Sequence, residues 1–270
     1  MFWHSGLECC VRWDGIHSDY FAVLAGVRQG GILSPDLYGI YVDDLINILR
    51  SAGVGCHFLG KFAASLFYAD DMAILAPSLK GLQKLLNICQ SYCVEWDILL
   101  NVKKTGNLFF GKGSKPTHLL HLDGAAIPWE DKWVYLGMTL KSGKSFSCCV
   151  KDKVSSFYRC LNSIIRIDGR SDDEVMLRLL ETHCLPILTY GLEILYVSDR
   201  DENRQPRVAY NSIYRKIFGY SHRESVTIVQ HALERPTWEE LTQKRKDAFE
   251  MKCKMSASDS LIRAFAALTS

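Results

Sequence analysis

The chain has 270 residues, of which 48% are hydrophobic, enough for the core of one large domain or of two small ones. A formal net charge of +2 gives no global basic signature, so nucleic-acid contacts would have to come from local clusters. Ten cysteines without a Cys-x-x-Cys pair are typical of reduced intracellular thiols and disfavour both a disulfide framework and a zinc site.

The chain begins with a predicted β-hairpin that leads into a glycine-containing loop. Residues 8–25 alternate in the manner of paired strands, with Asp14 and Gly15 at the turn. Gly30 and Gly31 then allow the backbone to adopt positive φ or to approach a ligand closely. We therefore expect a ligand against this loop.

A helix is predicted to follow the loop, with Ser34 as its N-cap and Pro35 as its first helical residue. The apolar face of this helix is formed by Leu37, Tyr41, Leu45 and Ile48. Asp43 and Asp44 belong to a Tyr-x-Asp-Asp sequence, but at 100° per residue they fall opposite this face or at its edge. We therefore expect them to be solvated charges on a helix.

Residues 65–76 form a second predicted hairpin, around which the chain is organised. Two short apolar runs flank Asp70 and Asp71, each run is too short for an ordinary helix, and Pro77 closes the second. Both aspartates are therefore placed at the turn. Adjacent carboxylates repel each other, and a hard cation such as Mg²⁺ would relieve that conflict. A plain acidic surface turn is the alternative.

The next predicted elements are a helix over residues 79–100, a turn at residues 101–105, and a strand at residues 108–110. The apolar stripe of the helix consists of Leu82, Leu85, Leu86, Cys89, Cys93, Trp96 and Leu100. Core packing is the expected role of its two cysteines, because no histidine nearby completes a metal site. Residues 113–131 are expected to form a loop with a short hairpin.

Four stretches resemble motifs of reverse transcriptases, and they occur in the same order. Residues 26–35 (Gly-Val-Arg-Gln-Gly-Gly-Ile-Leu-Ser-Pro) resemble motif B, and residues 67–71 (Phe-Tyr-Ala-Asp-Asp) resemble motif C. Residues 100–105 (Leu-Asn-Val-Lys-Lys-Thr) resemble motif D. Residues 133–137 (Trp-Val-Tyr-Leu-Gly) resemble motif E, the primer-grip hairpin. The amino-acid sequences of these motifs are most similar to those of enzymes of non-LTR (LINE-type, jockey-like) retrotransposons.

The resemblance implies an α+β polymerase palm, an antiparallel sheet backed by helices, followed by a helical thumb. It implies RNA-directed DNA polymerase activity, in which Asp70 and Asp71 are catalytic and hold Mg²⁺ or Mn²⁺ for two-ion nucleotidyl transfer. The implied partners are an RNA template, a DNA primer and deoxynucleoside triphosphates. Lys104 would contact or protonate pyrophosphate, although Lys103 would take its place if the alignment slipped by one, and a solvated lysine is the alternative.

The remaining motif residues receive their roles from the same resemblance. The residues implied to bind the nucleotide or template are Gln29, Gly30, Gly31 and Tyr68. The residues implied to form the primer grip are Tyr135, Leu136 and Gly137. For Gln29 a solvated loop amide is the alternative.

The composition changes at Lys141, and we expect a thumb-like helical region over residues 141–198. The cations of its first part are Lys141, Lys144, Lys151, Lys153, Arg159 and Arg166, against a single acidic residue, Asp152. An apolar helical face is supplied by Phe157, Tyr158, Leu161, Ile164 and Ile165. The basic face is expected to hold a duplex through phosphate contacts at Lys151, Lys153 and Arg159. A solvated helix face is the alternative.

The last third of the chain is predicted to be helical. Residues 172–196 contain helix breaks at Pro186 and Gly191, and resemble a Pro-Ile-Leu-x-Tyr-Gly segment that follows the thumb in these elements. Polar residues 199–207 are expected to form a linker. Residues 208–270 are expected to form helices with a basic patch, Lys244 to Lys246, and the role of residues 199–270 stays open.

Residues 1–140 would then be a partial palm that carries motifs B to E. Motif A, which supplies a further aspartate in the family, has no match in residues 1–25, and Asp14 and Asp19 lie on or near a predicted turn. We therefore expect a C-terminal part of the polymerase domain that is inactive alone and would need the missing N-terminal half in trans. The alternative is a non-catalytic retrotransposon remnant that binds nucleic acid or has no function.

Targeting signals are absent from the sequence pattern. No apolar run reaches the roughly 18 residues of a membrane span, and the first 20 residues lack a basic start followed by an apolar core. We therefore expect an intracellular protein, cytoplasmic or nuclear, that is not secreted and has no membrane partner.

Overall fold

The structure, a computed structural model, describes residues 6–23, 30–168, 172–193, 204–256 and 261–262. It has an α+β architecture, and its contacts divide the chain into two compact units, residues 1–100 and residues 101–270. This division differs from the predicted boundary at 140/141, because Met138, Cys148 and Val150 pack into the same core as the helices that follow them. The assignment of polymerase parts to 1–140, 141–198 and 199–270 stays a prediction.

The described strands of the first unit are short and form four separate antiparallel pairs. They are β1 (Glu8–Cys9) with β4 (Phe21–Ala22), β2 (Arg12–Trp13) with β3 (Ile16–His17), β5 (His57–Phe58) with β6 (Lys61–Phe62), and β7 (Ser65–Tyr68) with β8 (Asp71–Ile74). The predicted turn at Asp14 and Gly15 is confirmed, since both residues have positive φ (46° and 81°), the conformation that a tight hairpin needs.

Helix α1 (Ser34–Ser51) confirms the predicted helix after the glycine loop but corrects its start. The capping position is Leu33, no side chain caps the helix, and Ser34 is already helical, so the predicted N-cap is wrong by one residue. Pro35 lies in the first turn, where its missing N–H leaves no bond unmade.

The buried face of α1 also differs from the prediction. Buried residues are Ser34, Val42, Leu45 and Leu49, whereas Leu37 and Ile48 are more than 40% exposed. Apolar residues lie on more than one side of this helix, so the spacing was compatible with two faces. The hairpin and helix α2 decide which face is buried.

Helix α2 (Leu79–Glu95) begins at a cap that the sequence supplies, since the Ser78 side chain accepts a hydrogen bond from the Gly81 N–H. It ends five residues before the predicted Leu100, where Asp97 adopts a φ of 54°. Cys89 and Cys93 are buried with free thiols, which confirms their predicted place in the core. Burial raises the pKa of the Cys89 thiol to about 12, as expected for an inert structural cysteine.

The second unit begins with a 3₁₀ turn (Val102–Lys104) and contains seven described strands. They are β9 (Asn107–Leu108), β10 (Leu120–Leu122), β11 (Ala125–Ile127), β12 (Trp129–Glu130), β13 (Lys132–Tyr135), β14 (Met138–Lys141) and β15 (Ser147–Cys149). β10 and β11 form the short hairpin expected within residues 113–131, and β13, β14 and β15 form an antiparallel sheet. The strand predicted at 108–110 is instead Asn107–Leu108, where it pairs in parallel with β12.

The described helices of the second unit are α3 (Lys151–Asp168), α4 (Asp173–His183), α5 (Leu185–Thr189), α6 (Arg204–Phe218), α7 (Thr227–Ala232) and α8 (Trp238–Lys254). Two predicted limits are corrected. Residues 141–150 contain β15, so helix α3 begins only at Lys151. Residues 204–207 are helical and not part of a linker, because α6 turns a buried face with Ala209 and Tyr210 to the core; residues 199–203 lie outside the described part.

The core of the second unit joins its strands to its helices. Phe157 and Leu161 of α3 are fully buried, together with Leu180 of α4 and Tyr214 of α6. The break predicted at Pro186 lies two residues earlier, at Cys184, because proline is accepted in the first turn of α5. No helix among the described residues is long and apolar enough to cross a membrane.

Two glycines of the first unit offer a matched test of this packing. A Cβ on Gly55 would lie 2.4 Å from the Ala64 Cβ, and its φ is +110°, so we expect Gly55→Ala to destabilise the fold by about 2 kcal/mol. A Cβ on Gly39 within α1 meets nothing within 4 Å, so Gly39→Ala should stabilise it by about 0.5–1 kcal/mol. Urea unfolding followed by circular dichroism measures both, and equal shifts would contradict this packing.

Candidate active site and nucleic-acid interface

The hairpin β7–β8 carries the two candidate metal-binding carboxylates. Tyr68 pairs directly with Asp71, which leaves only Ala69 and Asp70 in the turn. Ala69 has a φ of 50°, the positive value that a two-residue hairpin turn imposes. The prediction that both aspartates lie in the turn is therefore corrected for Asp71, which is the first residue of β8.

The alternation of the two strands separates a partly buried face from an exposed one. Phe67 and Met72 pack with the core residues Leu49 and Leu85, and the Cys89 thiol lies 3.8 Å from the Met72 sulfur. The neighbouring pair on the other face is exposed, with Tyr68 67% exposed and Asp71 beside it. The hairpin thus presents both carboxylates to solvent from a packed support.

Tyr38 of α1 lies close to this hairpin and was not identified from the sequence. Burial raises the pKa of the Tyr38 hydroxyl, and the negative charge of Asp70 raises it further. The half-buried phenol is therefore a neutral hydrogen-bonding group near the carboxylate. Its only sequence signal is its place four residues after Ser34, on the buried side of α1.

The residues present supply part of a divalent-cation site. Mg²⁺ is commonly held by one or two carboxylates together with waters and substrate phosphates, and the exposed Asp70 and Asp71 match that ligand set. Among the described residues, no group of three or more histidine, cysteine, aspartate or glutamate side chains could hold a metal. Two adjacent carboxylates fit one weakly held ion and leave a second ion without enough protein ligands.

The Tyr-x-Asp-Asp sequence at residues 41–44 lies on a helix with its aspartates exposed, as predicted. Asp43 and Asp44 lie exposed on α1. The Tyr41 hydroxyl donates to the carbonyl of Trp96, while the Tyr41 carbonyl accepts a 2.7 Å hydrogen bond from the Tyr92 hydroxyl. This network ties α1 to α2 and gives the tyrosine a packing role.

The glycine loop leads directly into α1. Gly30 has a φ of +82° and no atom within 4 Å of a Cβ placed there, so its backbone is open to a neighbour. The Gly31 carbonyl accepts from the Ser34 N–H at 3.2 Å, which joins the loop to the helix. Gln29 lies outside the described residues.

In the second unit, the side chain of Asn101 shapes the turn that carries Lys104. Its Oδ1 accepts from the Lys104 N–H at 3.1 Å, and its carbonyl accepts from the Thr105 hydroxyl at 2.9 Å. Lys103 and Lys104 are both exposed, so the choice between them stays a prediction. A Cβ on Gly106 would lie 2.5 Å from the Trp133 ring, so this turn packs directly against the hairpin β13–β14.

The hairpin β13–β14 turns at Leu136 and Gly137, which have φ values of 46° and 71°. Only Tyr135 of the three predicted primer-grip residues belongs to a strand, because positive φ at two successive residues ends the ladder. The Tyr190 hydroxyl donates to the Leu136 carbonyl at 2.7 Å. Tyr190 lies in the segment Pro-Ile-Leu-x-Tyr-Gly, and the sequence alone indicated no role for this tyrosine.

Helix α3 divides its predicted phosphate-binding residues between two environments. Lys151 and Arg159 are exposed, eight residues apart and therefore on one side of the helix. Lys153 is half-buried, its ammonium donates to the Tyr190 carbonyl, and burial lowers the pKa of its amine. Lys216 of α6, not identified from the sequence, donates to Asn162 of α3 at 2.7 Å and adds a cation beside the exposed side.

The predicted basic patch on α8 is largely neutralised. Arg245 lies 3.6 Å from the Glu193 carboxylate and donates to the Thr189 carbonyl at 3.2 Å. Lys246 lies 3.8 Å from the Glu250 carboxylate. Because two of the three cations have acidic partners, this helix offers less free positive charge than its sequence indicates.

Comparison with known proteins adds three findings. The family of reverse transcriptases (RNA-dependent DNA polymerases) matches residues 3–140, just over half of the chain. The RNA-directed DNA polymerase from mobile element jockey of Drosophila funebris is 25% identical over 227 residues, 81% of this chain and 24% of that protein. The jockey polymerase of Drosophila melanogaster is 24% identical over 218 residues, 77% of this chain and 23% of its own length.

A third relative is the retrovirus-related Pol polyprotein from the type-1 retrotransposable element R2 of Popillia japonica, 28% identical over 204 residues. The match covers 69% of this chain and 32% of that polyprotein. The chain thus spans about a quarter of the length of the jockey relatives that it matches.

The carboxylate hairpin predicts a local metal-binding site. We expect Mn²⁺ to broaden the NMR signals of residues 68–71 selectively, and Asp70→Asn to weaken this binding about tenfold or more, because even outer-shell changes cost metal sites about 10–100-fold. Asp43→Asn, which removes an exposed carboxylate from α1, is the matched control and should leave the effect unchanged. Equal loss in both variants would show that Mn²⁺ binds by net charge alone.

Proposed function

The chain belongs to the reverse transcriptase (RNA-dependent DNA polymerase) family, and we propose that it forms the catalytic-hairpin and thumb portion of a jockey-like, non-LTR retrotransposon polymerase. The proposed reaction is extension of a DNA primer on an RNA template with deoxynucleoside triphosphates. The observation that carries the proposal is the hairpin β7–β8, which buries one face and leaves Asp70 and Asp71 exposed at its end.

The two carboxylates would serve as metal ligands. Together with a further aspartate from a neighbouring strand, they would hold the divalent cations whose chemistry is activation of the primer 3′-hydroxyl and stabilisation of the leaving pyrophosphate. Asp70 and Asp71 are adjacent and exposed at the end of a hairpin whose other face packs on the core, as such a site requires.

Other motif residues would bind the substrates. The open backbone at Gly30 and Gly31, with Gln29 before it, would lie against the nucleotide or template, and the exposed Tyr68 ring beside Asp71 would contact the same ligand. Lys104, on its Asn101-capped turn, would donate a proton or a charge contact to pyrophosphate. Each assignment follows the family resemblance of its motif.

The exposed side of α3 would hold the primer–template duplex. Lys151 and Arg159 place two cations on one side of the helix, opposite the buried Phe157. Contacts of this kind go to phosphates, which fix a duplex in position without reading its sequence. Lys216 would extend the cationic surface.

Residues 1–270 alone are proposed to be inactive in polymerisation. Two-metal catalysis needs more carboxylates than one Asp-Asp pair, and the described residues gather no third acidic ligand. In their sheet, β7 and β8 pair only with each other among the described strands, so a further strand with an aspartate could add to an edge. The shortage of ligands also favours a second candidate, a non-catalytic remnant that binds nucleic acid.

Primer extension tests the catalytic proposal. With Mg²⁺, an RNA template and a DNA primer, we expect extension only when a separately made polypeptide carrying motif A is added. Asp70→Asn should then lower the rate by about 10³-fold or more, since one member of a catalytic unit is lost, whereas Asp43→Asn should leave it nearly unchanged. Extension that survives Asp70→Asn would contradict the metal assignment, and extension by the chain alone would contradict the proposed inactivity.

The salt dependence of duplex binding tests the role of α3. The double variant Lys151→Gln/Arg159→Gln should weaken binding similarly for all sequences and reduce the slope of log K against log salt by about 2, one for each lost phosphate contact. The double variant Lys252→Gln/Lys254→Gln changes the net charge equally at exposed positions of α8 and is the control. An unchanged slope in the α3 variant would remove this helix from the interface.

A further inference from the structure

Tyr190 contacts two elements that the proposed function uses separately. Its hydroxyl donates to the carbonyl of Leu136, in the turn of the hairpin β13–β14, at 2.7 Å. Its own carbonyl accepts a hydrogen bond from the ammonium of Lys153 on α3, and that ammonium lies 4.8 Å from the centre of the Tyr190 ring. One residue therefore joins the primer-grip hairpin to the phosphate-binding helix.

Glycine lies at both places where the Tyr190 segment and the hairpin come close together. A Cβ on Gly137 would lie 3.3 Å from the Tyr190 ring, and a Cβ on Gly191 would lie 2.7 Å from the Met138 sulfur. Both glycines have positive φ, 71° and 65°. Side chains at these positions would strain the backbone and would crowd the Tyr190 ring and the Met138 side chain.

A second set of contacts holds the Tyr190 segment from its other side. The Arg245 guanidinium donates to the carbonyl of Thr189, directly before Tyr190, and lies 3.6 Å from the carboxylate of Glu193. The segment is therefore anchored to α8 as well as to α3. This explains why Arg245 carries a structural ion pair and is not part of a free basic patch.

Lys153 has the environment of a structural lysine. Its ammonium is partly buried against an aromatic face and a carbonyl oxygen, which together replace part of its hydration. To contact a phosphate, the amine would have to leave both partners. Lys151 and Arg159, in contrast, are exposed on the same helix.

We propose that Tyr190 and Lys153 are positioning residues, which fix the Leu136–Gly137 turn against α3 so that the primer terminus and the duplex backbone are held in one register. This inference rests on the proposed function of the hairpin and of α3. It removes Lys153 from the phosphate contacts and assigns a role to the Tyr-Gly pair at the end of α5. Duplex affinity would depend on Lys151 and Arg159. The placement of the primer end would depend on Tyr190.

Hydrogen–deuterium exchange on the full chain tests the connection itself. Tyr190→Phe keeps the ring over Lys153 and removes only the hydroxyl that donates to Leu136. We expect amides of residues 132–141 to exchange about fivefold faster, the effect of losing one such hydrogen bond. The control is Tyr220→Phe, which removes the hydroxyl of another exposed tyrosine, 39% exposed, and should leave exchange over residues 132–141 unchanged.

Lys153→Met provides an independent variant that keeps the apolar stem and removes the donor. It should accelerate exchange over residues 132–141 and leave the salt slope of duplex binding unchanged. Lys151→Met should instead reduce the salt slope and leave exchange over residues 132–141 unchanged. Unchanged exchange in both Tyr190→Phe and Lys153→Met would overturn the proposed connection. If Lys153→Met reduces the salt slope as much as Lys151→Met does, Lys153 contacts a phosphate and the proposal for this lysine is wrong.

Photocrosslinking tests whether the connection positions the primer. A DNA primer with 4-thiothymidine at its 3′ end, annealed to an RNA template, should crosslink to residues 132–141 of the unmodified chain. Tyr190→Phe should lower that yield about fivefold at unchanged duplex affinity, and equal yields would overturn the positioning role. No crosslink in the unmodified chain would instead overturn the proposed primer grip, so the two failures are distinct.

Discussion

Burial of one face of the hairpin β7–β8 is the constraint on which the candidate catalytic site depends. Phe67 and Met72 are partly buried against core residues that include Leu49 of α1 and Leu85 of α2, so each contributes only part of the roughly 1.5–3 kcal/mol that full burial of such a side chain gives. The period of two in a strand then places Tyr68 and Asp71 on the exposed face. A shift of one residue would turn Asp71 into the core, where an unpaired carboxylate is costly, so the register is strongly determined.

In the second unit, the turn of the hairpin β13–β14 is held by contacts with other elements, because a hairpin turn has no buried face of its own. The turn at Leu136 and Gly137 is held by a hydrogen bond and by close packing with Tyr190, which in turn contacts α3 through Lys153. Each contact is individually modest, on the order of 1 kcal/mol for a hydrogen bond. Together with the close packing at the two glycines, they connect the turn to the helix.

The proposed chemistry is limited by the number of carboxylates and not by the fold of the hairpin. Adjacent aspartates on a turn can hold one Mg²⁺ with water or phosphate completing its shell, but two ions need shared ligands from a neighbouring strand. The chain spans about a quarter of its jockey relatives, and β7 and β8, which pair only with each other among the described strands, have edges to which such a strand could add. In the proposed polymerase, one added strand with an aspartate would supply both a further metal ligand and sheet pairing.

Local chemistry made much of this protein predictable from its sequence. The Asp14-Gly15 turn, the hairpin around Asp70, the helical place of Asp43 and Asp44, and the buried cysteines of α2 all follow from spacing and turn residues. The family followed from four ordered motifs. Tertiary contacts decided the rest: which side of α1 is buried, where α2 ends, that β15 precedes α3, and that Tyr190 binds the hairpin turn and engages Lys153. The periodicity of a sequence indicates that a helix has an apolar face, but not which neighbouring element covers that face. The hydrogen bond between Tyr190 and Leu136 joins residues 54 positions apart, so no local sequence pattern predicts it.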